Sequence, residues 1–336
     1  MNRFGISLGV SPREPLTHVG EVAREIEEKG FEALWIIDFQ VGMKDVYAAM
    51  ALVALSTRRL LIGPGVTNLL TRHPTVTANA MAAIDELSDG RAMIGLGTGW
   101  SAVLAAGQRP SKVGDVRAGI EALRSLFSGE ETTLDGTPIR LATARRQIPI
   151  YLAAAQPAML RLCGEAADGV ILMGGADPEF CRWQLDFLYE GLERSRRARS
   201  ALTVDLQVTM SEDEDRERAL ADVRAWAVSQ AATFVDWKRL PPSYERFRPE
   251  FARAAESYHL VEHLSLHAGH KQVVSDEFVS RVAIAGDETT CVQRLRELAG
   301  LDIDRITFAL LSGGRSRRLG RLAETIIPAV GAAAGG

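Results

Sequence analysis

Residues 60–97, LLIGPGVTNLLTRHPTVTANAMAAIDELSDGRAMIGLG, hold one complete strand–helix–strand unit. Leu60–Gly65 is a short apolar run that ends in a Gly-Pro-Gly turn signal. Apolar residues then return at helical spacing over Thr75–Ser88, Asp89-Gly90 breaks the pattern, and Ala92–Gly97 is a second apolar run. Strands with two apolar faces, separated by a helix, belong to a parallel sheet covered on its faces. Working outward, the same unit recurs. Upstream lie strand Phe4–Gly9, helix Pro15–Lys29 closed by Gly30, and strand Leu34–Asp38. Downstream, strands Ile150–Ala154, Gly169–Leu172, Val204–Val208 and Arg305–Leu310 are interleaved with further helices. Those helices are Lys112–Phe127, Pro157–Ala166, Pro178–Arg197, Glu288–Ala299 and Leu319–Val330. Eight such strands favour closure over an open, doubly wound sheet. The expected fold class is α/β, a (β/α)8 TIM barrel spanning residues 1–330 as one domain.

Two stretches break the rhythm. Glu131–Leu141 carries Asp135-Gly136, a hairpin dipeptide, before the fifth strand. Residues 211–282 form a long interruption between strands seven and eight, expected to be a helical insertion, and 331–336 is expected to be a disordered tail.

Composition narrows the function class. Apolar residues make up 46% of the 336 and charged residues 24%, with a net charge of −4 and no basic run of the kind a phosphate backbone needs, so nucleic acid is not an expected partner. No apolar stretch is long enough to span a bilayer, and the N-terminal segment reads as a strand rather than a leader. Cys163, Cys181 and Cys291 are far apart, without metal-type spacing, and suit a reducing compartment. These features lead to an expectation of a cytoplasmic enzyme acting on a small molecule.

Three segments, in order, carry a family resemblance. They are Leu61–Asn68 (LIGPGVTN); Ile84–Arg91 (IDELSDGR) followed by Gly95–Gly99 (GLGTG); and Ala153–Pro157 (AAAQP) leading to Gly164–Gly169 (GEAADG). Together they resemble the luciferase-like oxidoreductase superfamily, in its coenzyme F420 branch, which includes the methylenetetrahydromethanopterin reductases. The resemblance implies hydride transfer between reduced F420, a deazaflavin, and a small organic substrate. FMN in a two-component monooxygenase is the alternative, and a non-catalytic flavin-binding barrel is a third reading. It further implies a cis peptide at Gly65–Val66 beneath the cofactor ring, with Thr67 and Asn68 beside it. Gly97, Thr98 and Gly99 would meet the ribityl-phosphate arm, and Ala154, Ala155, Gln156, Gly174 and Gly175 would complete that cradle. Gly95–Gly99 is not a dinucleotide fingerprint, because Trp100 stands where the third glycine belongs. Relatives of this kind are often homodimers, and a reductase that supplies reduced cofactor is a partner the resemblance allows.

Asp38 ends the second strand at the barrel mouth and is the candidate for orienting the ring edge or a proton. Phe39 stands where deazaflavin enzymes often carry histidine, and Ser7 where the methanopterin reductases carry glutamate, and these two departures argue against that particular substrate. Arg72, Arg109 and Lys112 follow strands three and four and are expected to face the anionic tail of the coenzyme. Asp85, Glu86, Asp89 and Arg91 lie at the opposite, stabilising end, where Arg91 is expected to form a salt bridge. His259, His263, His267 and His270 are spaced for one helix face. His259 and His263 are candidate proton donors. Packing and metal binding are the competing roles, and no metal site is expected.

Overall fold

The computed structural model describes residues 3–134, 136–257, 273–310 and 314–332. Strands β1 (Arg3–Leu8), β2 (Ala33–Ile36), β3 (Leu61–Pro64), β4 (Ile94–Leu96), β5 (Ile150–Ala154), β6 (Gly169–Leu172), β7 (Thr203–Glu212) and β8 (Arg305–Leu310) lie side by side. All are parallel, in the order 3-2-1-8-7-6-5-4. Parallel bridges Ile62–Ala92 and Thr67–Leu96 join β3 to β4 and close the ring. The fold is the expected (β/α)8 barrel.

Strand alternation decides what fills it. Gly5, Ser7, Trp35, Gly63, Gly95, Tyr151, Ile171, Asp205, Gln207, Arg305 and Thr307 share one parity and point inward. Their contacts across the barrel confirm it. Trp35 Nε1 donates to Asp205 Oδ2 at 2.8 Å, Arg305 Nε donates to the same oxygen at 2.8 Å, and Thr307 Oγ1 donates to Asp205 Oδ1 at 2.6 Å. Arg305 also reaches the Tyr151 hydroxyl at 3.2 Å. Asp205 and Arg305 are 0% and 1% exposed, so this floor is a buried ion pair with its hydrogen-bonding capacity largely met. The opposite parity packs against the helices in one large apolar cluster that includes Ile6, Leu34, Ile62, Ile94, Leu152, Val170, Leu206 and Ile306.

Most expected elements are found, with shifted ends. Strand β2 stops at Ile36, two residues before Asp38, and β7 runs on to Glu212 because its end pairs with a short strand, Ile284–Gly286. Thr132–Leu134 and Thr137–Ile139 form the expected hairpin. Helix Val46–Ser56, which the spacing does not announce, lies between β2 and β3. The interruption after β7 contains helices Arg216–Phe234, Arg248–Ser257 and Asp276–Val282. Phe234, Tyr244, Phe247, Phe251 and Phe278 form a second apolar cluster there, joined to the barrel through Phe180. Asp177 accepts from Tyr244 Oη at 3.1 Å and from Arg281 at 2.7 Å, which ties the two together.

At the stabilising end, Arg91 differs from expectation. It donates to the carbonyls of Ala54, Thr57, Leu60 and Ser88 and forms no ion pair among the described residues. Asp85 pairs instead with Arg146 at 2.7 Å.

Candidate active site

Above the polar floor, the inward positions become small. Gly9, Gly97, Ala155 and Ala309 follow the pattern on β1, β4, β5 and β8, with Ile37, Met173 and Thr209 between them. By strand alternation they face the bowl of the C-terminal mouth, the end at which barrel enzymes hold their ligands. One wall is almost bare backbone. The Gly65–Val66 peptide is cis, and Pro64–Val66 leans directly on β4. A Cβ on Gly95 would lie 2.4 Å from the Pro64 carbonyl oxygen, and one on Gly97 would lie 3.0 Å from Val66 Cγ2. Glycine is therefore required at both positions for the two chains to approach. The facing wall is polar: Gln207 Nε2 donates to Ser7 Oγ at 3.2 Å, and the fully buried Thr209 Oγ1 has no partner among the described residues.

Asp38 lies just past the end of β2, where it is buried beside the loop that follows β3. There Arg72 grips its carboxylate with two nitrogens, at 2.6 and 3.2 Å, and Thr67 Oγ1 donates at 2.7 Å. The guanidinium also lies 5.1 Å above the Tyr47 ring. Burial opposes the Arg72 charge, but the bonds and field of Asp38 outweigh it and raise its pKa. Arg72 is thus committed to Asp38, contrary to its expected role at the coenzyme tail. Arg109 and Lys112 are exposed on the loop after β4.

The topology gathers the other expected residues. Strands β3 to β6 are neighbours, so Gly65–Asn68, Gly97–Gly99, Ala154–Gln156 and Gly174-Gly175 lie on adjacent loops. Thr67 N donates to the Gly95 carbonyl at 2.9 Å and the Thr67 carbonyl accepts from Gly97 N at 3.0 Å, which joins two of these loops. Asn68 Oδ1 is used locally, accepting from the Leu70 and Thr71 amides at 3.0 and 2.8 Å. Gly174 and Gly175 are buried, and a Cβ on Gly175 would meet the Val282 carbonyl at 2.5 Å, so they pack against the end of the insertion. Gln40 Nε2 donates to the Ala102 carbonyl at 2.7 Å, a strap from the β2 loop to the β4 loop across the β3 exit. Phe39 packs against Gly42 in its own loop, whereas Trp100 is 43% exposed. His259 and His263, with His267 and His270, lie outside the described residues. Among the described residues no cluster is arranged to hold a metal ion.

Several residues of the bowl were not singled out from the sequence, although one signal was there. Asp205, Gln207, Thr209 and Ser211 alternate with Val204, Leu206, Val208 and Met210, an unbroken period of two that marks a polar inner face. The Gln40 strap and the Asp38–Arg72 pair have no comparable sequence signal.

Comparison with known proteins agrees with this geometry. The chain is 28% identical over 312 residues to a 5,10-methylenetetrahydromethanopterin reductase of Methanolobus tindarius, covering 90% of this chain and 92% of that one. It is 26% identical over 353 residues to an F420-dependent glucose-6-phosphate dehydrogenase of Nakamurella multipartita, covering 99% and 98%. Among solved structures, the coenzyme F420-dependent tetrahydromethanopterin reductase of Methanopyrus kandleri superposes with a TM-score of 0.79 at 22% identity, covering 97% and 99%. A monooxygenase from Streptomyces bottropensis superposes with a TM-score of 0.68 at 20% identity, covering 97% and 99%, so the fold is shared with oxygen-using enzymes as well. Residues 2–305 match the luciferase-like monooxygenase family model, and the chain belongs to that family.

Proposed function

We propose that the protein is an F420-dependent oxidoreductase that transfers hydride between reduced F420 and a small organic substrate. The observation that carries this reading is the bowl: bare backbone on β3 and β4 faces polar Ser7, Gln207 and Thr209 above a sealed floor. Gly95 and Gly97 let the cis Gly65–Val66 peptide pack closely on β4, and that peptide is the surface on which a flat ring would rest. The sequence relatives named for F420 support the deazaflavin over other flat rings. Gly65, Val66, Thr67 and Asn68 would underlie the ring. Gly97–Gly99 and Ala154–Gln156 would meet the phosphate arm, with Gly174 and Gly175 behind them.

When bound, the deazaflavin supplies a carbon that gives or accepts a hydride. The chain contributes position and dielectric. Asp38 acts as a positioning residue, holding Thr67 and Arg72 so that the loop after β3 keeps its place. The Gln40 strap restricts solvent at the same edge. Gln207 offers an uncharged amide to a substrate carbonyl or hydroxyl oxygen, above the buried Asp205–Arg305 floor. Anaerobic oxidation of reduced F420 on addition of carbonyl or imine compounds tests this reading. Turnover of at least one of them is expected. Failure of all of them, with oxygen uptake in the presence of reduced FMN, would instead support a two-component monooxygenase fed by a separate reductase. The match to the luciferase-like monooxygenase family model supports that second reading.

The proposal extends to assembly and location. Leu55, Val76 and Leu87 are 61%, 56% and 43% exposed on neighbouring helices Val46–Ser56 and Pro74–Leu87, which supports a homodimer through that face. The three cysteines are buried and unpaired, which fits the cytoplasm, and no described helix is long and apolar enough to cross a membrane.

A further inference from the structure

Beside the bowl an open groove of about 530 Å³ runs across the surface. It begins at Gln156, next to the mouth residue Ala155, and passes between helix Pro157–Ala166 and the segment after helix Arg216–Phe234. Its charged lining is Arg161, Arg194, Lys238 and Arg239 against the single anion Asp236. Arg161 is held by Glu190 at 2.6 Å, and Arg194 lies 3.8 Å from Glu190 and 4.0 Å from Glu165. Lys238 and Arg239 are exposed and have no carboxylate partner among the described residues. The groove therefore carries four cations against one anion, in a chain whose net charge is −4.

We propose that this groove binds the oligocarboxylate tail of the coenzyme, with Lys238 and Arg239 as its principal contacts. The inference rests on the F420 reading above and adds a preference for long-tailed forms. The insertion would then serve cofactor selection, because Lys238 and Arg239 belong to it while the ring wall belongs to the barrel. A tail leaving at Gln156 runs away from Arg109 and Lys112, which lie beyond β4, and Arg72 is already paired with Asp38.

The test is the Kd, from deazaflavin fluorescence, of F420 forms carrying no, two and at least five glutamates, together with the riboflavin-level deazaflavin that lacks phosphate and tail. The long-tailed form is expected to bind roughly five- to tenfold more tightly than the glutamate-free form at low salt, as two exposed charge contacts allow. The difference should shrink to about twofold or less in about 0.5 M salt. Lys238→Glu with Arg239→Glu should abolish the tail dependence and leave binding of the riboflavin-level form unchanged. Lys238→Arg with Arg239→Lys should retain it. Equal affinity for all tail lengths would overturn the groove assignment and leave the cofactor reading intact. So would a dependence removed by Arg109→Glu with Lys112→Glu and not by the first pair. Failure of every deazaflavin form to bind would overturn the cofactor reading, and this one with it.

Discussion

Asp38 separates two roles that a mouth aspartate can have. A proton-handling carboxylate needs access to the reacting atoms, whereas this one accepts from Arg72 and Thr67 and is 6% exposed. Asp38→Asn is therefore expected to weaken coenzyme binding about tenfold, through the loosened loop after β3, and to leave the shape of the kcat–pH profile unchanged. Loss of one limb of that profile would show acid–base work instead. Asp38→Ala leaves the partly buried Arg72 guanidinium with only Asp45 Oδ2, at 3.7 Å, and should cost about 2–4 kcal/mol in denaturant unfolding. At the floor, Asp205 collects three donors at 0% exposure. Asp205→Ala should cost about 3–5 kcal/mol, read as a lowered urea midpoint. The identity of Asp38 as a residue near the mouth was legible in the sequence. Its partner was not, because the pairing depends on the strand ending at Ile36 and on which way the next side chains turn. The pairing of Arg72 was hidden for the same reason.

Elements were legible where one physical signal was strong. Apolar runs bounded by turn residues located all eight strands, with Ile150–Ala154, Gly169–Leu172 and Arg305–Leu310 matching end to end. Helix Val46–Ser56, VYAAMALVALS, was missed because apolar residues surround it on every side, and a helix without a polar face has no period to read. The extension of β7 was missed because its partner strand lies some seventy residues away. The entry to β3 depends on Glu27, whose carboxylate accepts from the backbone amides of Arg58, Arg59 and Leu60 at 2.9, 2.5 and 3.0 Å. Desolvation raises its pKa, but those three bonds outweigh it and hold the carboxyl below its ordinary value of 4.5. A carboxylate depressed in the folded state stabilises above its unfolded pKa, and that contribution is lost as pH falls through the folded value. Glu27→Gln should accordingly cost about 1 kcal/mol at pH 7, given partial solvent exposure, and nothing below about pH 3. Thermal unfolding of both proteins between those pH values checks this, and a constant difference would contradict it.

For the whole molecule, the count of βα units was enough to give a closed barrel, since eight parallel strands joined by helices bury both faces. The position of the long interruption was equally legible. What it contributes was not: its aromatic cluster forms around Phe180, a barrel residue, and its cations Lys238 and Arg239 gain meaning only beside Gln156. The proposed dimer rests on exposed apolar side chains. Leu55→Asp with Val76→Asp should convert a dimer to a monomer in sedimentation velocity, whereas a wild-type monomer would contradict the proposed face. Cofactor choice governs the rest, because the proposed ring site on β3 and β4 would suit a deazaflavin or a flavin alike. Parallel titrations of the purified protein with F420 and with FMN, followed by ring fluorescence at low salt, decide it. Tighter binding of F420, by about tenfold or more, is expected. Tighter binding of FMN, with oxygen consumed on turnover, would contradict the deazaflavin reading.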